Sequence, residues 1–362
     1  MNPNPLLGVL FHWLGGLSSA SFYVPYKRIR LWSWEIFWLT GGVFSWLIAP
    51  WIGALIGTKD LFHVLAVGSA APVSVLGAQM PCYIACILCG ALWGAGGLTF
   101  GLTVRYLGLS LGMAVALGLT TVIGTLGPPL LNGTLGALAA KPGSPFTFIG
   151  IAVVLVAIVV VALAGHRKEK ELSDGQVARS EFNLTKGLLI AVFSGVMSSF
   201  FAFGLDFGAP IKAASLAAGT GQLWGGLPVL CVVLVGGFAT NFVCSGFLIV
   251  RNGSAGEWAG KTKAVSDVKT PLVANYALAA LGGTLWYFQF FFYTMGESQM
   301  GRFGFSSWTL HMASIILFST LWGFALKEWQ GTSVKTRALV WTGILTLVAS
   351  TVIIGIGNML SK

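Results

Sequence analysis

Long apolar stretches separated by short polar ones dominate the 362-residue chain. A helix of about 20 mostly apolar residues crosses the hydrocarbon of a bilayer. Ten stretches have about that length: 6–25, 33–57, 81–103, 108–131, 147–164, 187–205, 222–250, 272–296, 305–326 and 337–360. Only helices and closed barrels span bilayers, and these runs are too long and too uniformly apolar for barrel strands. The pattern predicts an all-α integral membrane protein of ten transmembrane helices. The first run has no basic residue before it and no small-residue cleavage site ahead of a soluble domain, so it is predicted to be a retained helix, not a signal peptide. The segment 58–80, with Asp60 and His63, is predicted to lie at the outer interface.

The longest clearly polar segment, 165–186, divides the chain into a first five-helix repeat (1–164) and a second (187–362), with the segment as a cytoplasmic linker. An odd number of helices per half makes the halves run in opposite directions, which predicts an inverted repeat. Short echoes agree. Gly16-Leu17-Ser18-Ser19 is answered by Gly195-Val196-Met197-Ser198-Ser199, and Leu92-Trp93 by Leu285-Trp286.

Charge orients the helices. Sixteen basic residues fall in the loops on one side, among them Lys27, Arg28, Arg30, Arg105, Arg167, Lys168, Arg179 and Lys263. Only five, Lys59, Lys141, Lys212, Arg302 and Lys362, fall on the other. Cytoplasmic loops carry the excess of Lys and Arg, so both termini are predicted outside.

Composition changes the picture little. The chain is 56% hydrophobic and 9% charged, against about 25% charged in soluble domains, and a soluble fold is excluded. The net charge of +10 resides in short loops without an aromatic-and-basic patch, so nucleic acid is not an expected partner. Cys82, Cys86 and Cys89 have the C-x3-C-x2-C spacing of a cluster-binding motif, but they sit in an apolar run on one helical face and are predicted to pack as small hydrophobes. No metal, cofactor, phosphate loop or nucleophile elbow is expected.

Polar side chains inside a membrane face the bundle interior or a water-filled path. The richest stripe is Trp286, Gln289, Tyr293 and Glu297, at i, i+3, i+7 and i+11. Aromatic faces suit the C–H faces of a sugar, and amides suit its hydroxyls. Trp286, Gln289 and Tyr293, with Trp93, Trp308, Ser19, Tyr23 and Ser199, are the candidate substrate residues. His12, Glu35, Asp206 and His311 are the candidate proton sites, because an intramembrane ionisable group is costly and imidazole titrates near neutrality in water.

Several stretches together resemble the L-rhamnose–proton symporters, within the drug/metabolite transporter superfamily of ten-helix inverted-repeat carriers. They are Ala20-Ser21-Phe22-Tyr23 with Pro25 and Lys27; Trp32-Ser33-Trp34-Glu35; Gly101-Leu102-Thr103 with Arg105-Tyr106-Leu107-Gly108; Gly124-Thr125-Leu126; Glu181-Phe182-Asn183-Leu184; Leu281-Gly282-Gly283 with Trp286-Tyr287 and Gln289-Phe290-Phe291-Phe292-Tyr293; Ser307-Trp308 with His311-Met312; and Lys327-Glu328-Trp329. The resemblance departs at His12, shifted by one position, at Asp206, where a neutral amide is expected, and at Glu297, where a basic or neutral residue is expected. It implies a multi-pass carrier of the bacterial inner membrane that imports a small deoxysugar, L-rhamnose, with protons. The rival expectations are a carrier or exporter of another small metabolite and a membrane-embedded sugar sensor or enzyme.

Overall fold

The structure, a computed structural model, describes residues 3–172, 183–261 and 269–360. The chain enters as α1 (Pro5–Ser21) and the short α2 (Tyr23–Tyr26). Next come α3 (Trp34–Val43), a π-helical turn (Phe44–Ile48), α4 (Ala49–Gly57) and α5 (Leu61–Ala70). An antiparallel hairpin, β1 (Pro72–Val75) paired with β2 (Ala78–Pro81), leads into α6 (Cys82–Leu131), α7 (Leu135–Ala139) and α8 (Ser144–Leu172). Then follow α9 (Leu184–Phe207), α10 (Ala209–Ala217), α11 (Leu227–Asn252), α12 (Leu272–Gln299), α13 (Ser307–Ala325) and α14 (Val334–Leu360).

Among the described residues nine helical stretches are long and apolar enough to cross a membrane. The protein is a multi-pass membrane protein built from helices. The nine match nine of the ten expected runs. The remaining one, expected over 272–296, forms as the 28-residue α12. It has the length to cross but falls outside the nine, and Asn275, Gln289, Thr294, Glu297 and Gln299 dilute its apolar character.

Three sequence-based boundaries are corrected. The expected linker 165–186 is helical at both described ends: α8 continues to Leu172 and α9 begins at Leu184. Lys, Glu and Arg are good helix formers, so Arg167 to Glu171 prolong the helix after apolarity ends. The middle of that segment, with Arg179 and the Glu181-Phe182 of the resemblance, lies outside the described residues, as do Lys263 and Lys362. The segment 58–80 is not irregular but holds α5 and the hairpin.

The third concerns the expected loop 104–107, which is helical; α6 is one uninterrupted element. A straight helix would separate residues 96 and 116 by about 30 Å. Yet Ser194 Oγ donates to the Gly96 carbonyl (2.9 Å), and a Cβ on the adjacent Gly195 would lie 2.8 Å from the Ala116 carbonyl. A Cβ on Gly112 would likewise lie 3.3 Å from the Thr103 carbonyl. So α6 doubles back between Thr103 and Gly112, and its two limbs, Cys82–Leu107 and Ala114–Leu131, are separate candidate spans.

The packing pattern is reciprocal. α1 lies against α12 and α13, and α9 lies against the two limbs of α6. α3 and α4 pack on α11, α3 also touches α12, α11 touches α6, and α8 pairs with α14. Both α1 and α9 open with an asparagine cap: Asn4 accepts from the Leu7 N–H (3.4 Å) and Asn183 from the Lys186 N–H (2.9 Å). The largest buried apolar cluster runs between α4, the first limb of α6, α9, α11 and α12. Cys82, Cys86 and Cys89 belong to it, with the Cys82 and Cys86 thiols directed at the Phe207 and Gly204 carbonyls (3.2 and 3.3 Å), which is the expected packing role.

Candidate functional site

α12 is the spine of the site. From Trp286 to Glu297 the stripe covers about 16 Å along the helix axis, and its members meet different surroundings. At the far end Tyr293, Thr294 and Glu297 wall an open cavity of about 290 Å³. The end of α6 contributes Gly124, Thr125, Pro128, Pro129 and Asn132. α9 contributes Ala202 and Asp206, α10 contributes Lys212, and Phe305 and Trp308 close one side.

Each wall has a local cause. Proline has no N–H, so Pro128 and Pro129 cannot donate to the carbonyls of Gly124 and Thr125, and two acceptors are released from the helical ladder beside the cavity. The Trp308 indole N–H donates to the Thr120 carbonyl (2.9 Å), which fixes the ring across Gly124, where a methyl would overlap it. The Thr125 and Thr309 hydroxyls share a hydrogen bond of 2.7 Å. Asn132 Nδ2 donates to the Asp206 carboxylate (2.8 Å), tying α6 to α9, and Lys212 forms an ion pair with Glu297, tying α10 to α12.

Two histidines lie behind Tyr293. Its ring centroid is 5.5 Å from that of His12 and 5.3 Å from that of His311, and the two imidazoles are 6.4 Å apart. Both are fully buried, and none of their four ring nitrogens has a hydrogen-bond partner among the described residues. Small residues admit them: a Cβ on Gly296 would lie 2.8 Å from the His12 ring, and one on Gly15 would lie 3.3 Å from the His311 ring. The Ser314 hydroxyl bonds both histidine carbonyls at 2.8 Å and holds the pair across α1 and α13. Such a pair, one ring away from an open cavity, has the chemistry to hold a single proton, because two neighbouring cations in a low dielectric repel.

Of the expected residues, Asp206, Tyr293 and Trp308 line the cavity, and His12 and His311 stand directly behind it. Gln289 is buried one turn deeper, its Nε2 without a partner among the described residues. Trp93 lies one layer away, packed on Phe201, whose ring stacks on Trp308. Ser19 is buried in α1, and Ser199 bonds the Val196 carbonyl of its own helix (2.6 Å); neither reaches the cavity. Trp286 faces a second, small cavity instead. Tyr23 is 43% exposed and packs edge-on against Phe22 and Tyr26. Glu35 sits at the other end of the molecule, accepting from Asn252 Nδ2 and Ser254 Oγ, both at 2.9 Å. No group of three or more His, Cys, Asp or Glu among the described residues is arranged to hold a metal ion.

The family profile described as L-rhamnose-proton symport protein (RhaT) matches residues 1–360. Among curated proteins, the L-rhamnose-proton symporter of Cronobacter sakazakii is 37% identical over 352 residues, covering 97% of each chain. That of Mannheimia succiniciproducens is 36% identical over 358 residues and covers 99% of each. That of Yersinia pestis is 35% identical over 358 residues, again 99% of each. The chain belongs to the L-rhamnose-proton symporter family.

This is a family of transporters, not enzymes. Within this symporter-family chain, Thr125, Asn132 and Lys212 are the wall residues that sequence reasoning missed. Asn132 and Lys212 lie in predicted external connections, where polar residues are ordinary. The tandem prolines beside Asn132 were the available signal of an opened helix end.

Proposed function

We propose that this symporter-family protein carries L-rhamnose into the cell with protons, and that the open cavity is the outer sugar site. The observation that carries the reading is one wall shared by two features. Tyr293 faces the cavity on one side and the buried His12–His311 pair on the other. A deoxysugar offers an apolar methyl and C–H face to the Trp308 and Tyr293 rings. Its hydroxyls can donate to Asp206 and to the carbonyls of Gly124 and Thr125, and can accept from Asn132. The histidine pair takes the proton. Sugar against Tyr293 then couples the proton's presence to closure of the cavity.

The architecture we propose is ten crossing helices, with α12 as the tenth, arranged as two inverted five-helix halves (1–164 and 187–362). The reciprocal packing supports this: the first helix of each half lies on the third and fourth of the other, and fifth pairs with fifth. The bias of basic residues to the opposite face supports an outward-opening cavity, both termini outside, in the bacterial inner membrane. Transport then proceeds by alternating access as the halves rock about the site.

The test separates coupling from sugar recognition. In proteoliposomes, His12→Gln and His311→Gln should abolish accumulation driven by an inward proton gradient yet keep exchange of labelled for unlabelled L-rhamnose. Full accumulation by both variants removes the pair from the proton path. A second reading, with Asp206 as proton site, is favoured by its place in the cavity; Asp206→Asn that loses accumulation at unchanged affinity would move the site there.

A further inference from the structure

The small second cavity lies at the opposite end of the α12 stripe. It is bounded by Phe22, Tyr26, Trp38, Ser45, Trp46 and Trp286. Its volume of about 10 Å³ holds at most about one water. Aromatic rings crowd it. Phe22 and Trp286 meet at 4.4 Å, Tyr26 and Trp38 at 6.4 Å, and Trp38 and Trp46 at 6.1 Å between centroids.

Its polar atoms are out of keeping with simple aromatic packing. Ser45 and Trp46 are 2% and 3% exposed, yet the Ser45 hydroxyl and the Trp46 indole N–H have no partner among the described residues. The Trp286 indole N–H has none either. The fourth donor of the group, the Trp38 indole N–H, is by contrast bonded to Asn241 Oδ1 (3.0 Å), whose own amide is fixed on the Gly237 carbonyl (2.8 Å). Buried donors left unmade are costly. Ser45 and Trp46 also belong to the π-helical turn Phe44–Ile48. Single π turns within helices occur mostly at functional sites.

Trp286 and Tyr293 are seven residues apart on one helix face, about 10 Å along the axis. Gln289 lies between them with an unpartnered Nε2. Tyr26 and Trp38 flank the 27–33 connection, on the side of the ion pair of Lys27 with Glu328. We infer that Ser45, Trp46 and Trp286 form a second sugar-binding subsite, collapsed here, that opens to the inner face and hydrogen-bonds a pyranose on its way out of the transporter. This rests on the sugar-carrying reading above. The three donors suit ring and hydroxyl oxygens, while Phe22 and Trp38 offer faces to C–H groups.

The test uses Ser45→Ala and Trp46→Phe, which remove one donor each and keep the packing, with Trp286→Phe as a third. Initial rates of L-rhamnose entry are measured in right-side-out and in everted membrane vesicles. Loss of one neutral hydrogen bond should raise the half-saturating concentration about three- to tenfold at the inner face. The outer-face value should stay within about twofold. Equal changes at both faces, or none at either in protein of normal thermal stability, overturn the subsite and leave these residues as gate packing. Wild-type vesicles that carry no L-rhamnose at all would instead break the substrate reading.

Discussion

Asp206 shows what one side chain does once the tertiary fold has placed it. In the sequence it was a candidate proton site without a partner; in the fold it faces a cavity and accepts from Asn132, 74 residues away. A hydrogen bond to a charged group contributes about 1.5–3 kcal/mol, so Asp206→Asn should raise the KM for sugar about ten- to a hundredfold with the protein still folded, measured as uptake kinetics. The stripe of α12 was legible because helical spacing alone aligns Trp286, Gln289, Tyr293 and Glu297. Tyr23 lies at the end of the first helical stretch, where its ring packs on Phe22 and Tyr26 and away from the cavity. Asn132, Thr125 and Lys212 could not be found by spacing, since only long-range packing makes them neighbours of Asp206, Thr309 and Glu297. Three asparagines each followed two residues on by Ser or Thr have structural partners at this scale: Asn132 binds Asp206, Asn183 caps α9 and Asn252 binds Glu35.

At the scale of elements, hydropathy located the helices and missed their ends. The charged tail of α8 stays helical and earns a purpose there: the Glu171 carboxylate accepts from the Ser333 N–H (2.6 Å), the Ser333 hydroxyl (2.7 Å) and the Thr336 hydroxyl (2.6 Å), capping α14. α1 is held against α13 with no spare room at Gly16, where a methyl would overlap Ser314. Overpacking costs about 1–3 kcal/mol, so Gly16→Ala should lower the thermal midpoint and reduce transport even though the helix itself favours alanine. At the end away from the open cavity, Glu328 bridges Lys27 (3.1 Å) and Lys168 (3.5 Å), joining the chain after α2, the end of α8 and the turn after α13. Partial burial pushes the Glu328 carboxyl up, but the Lys27 hydrogen bond and the charges of Lys27 and Lys168 outweigh it and hold it below the usual carboxylate range. A depressed carboxylate stabilises above its unfolded value, about 4.3, and that contribution fades as pH falls through the folded value. Glu328→Gln should therefore melt slightly below wild type at neutral pH, and the difference should shrink as the medium is acidified below about pH 4. A difference that grows on acidification would exclude the linkage.

At the scale of the whole molecule, the reciprocal packing of helices from the first and second parts of the chain was foreshadowed only by short sequence echoes. The sequence carried the apolar runs and the charge bias but not the reciprocal contacts of α1 with α12 and α13 and of α9 with α6, which only the folded chain creates. Those contacts put the histidine pair where α1 meets α12 and α13, and the cavity where α9 meets α6. The two proposed binding events thus lie at related seams, and rocking of the halves would act on both. The central claim is that sugar and proton cross together. The most direct measurement is uptake of labelled L-rhamnose into proteoliposomes holding the purified protein, with and without an imposed inward proton gradient. Accumulation above the external concentration, present only with the gradient and collapsed by a protonophore, is the predicted result. Equilibration that ignores the gradient, or no uptake by protein with a normal thermal transition, would contradict it.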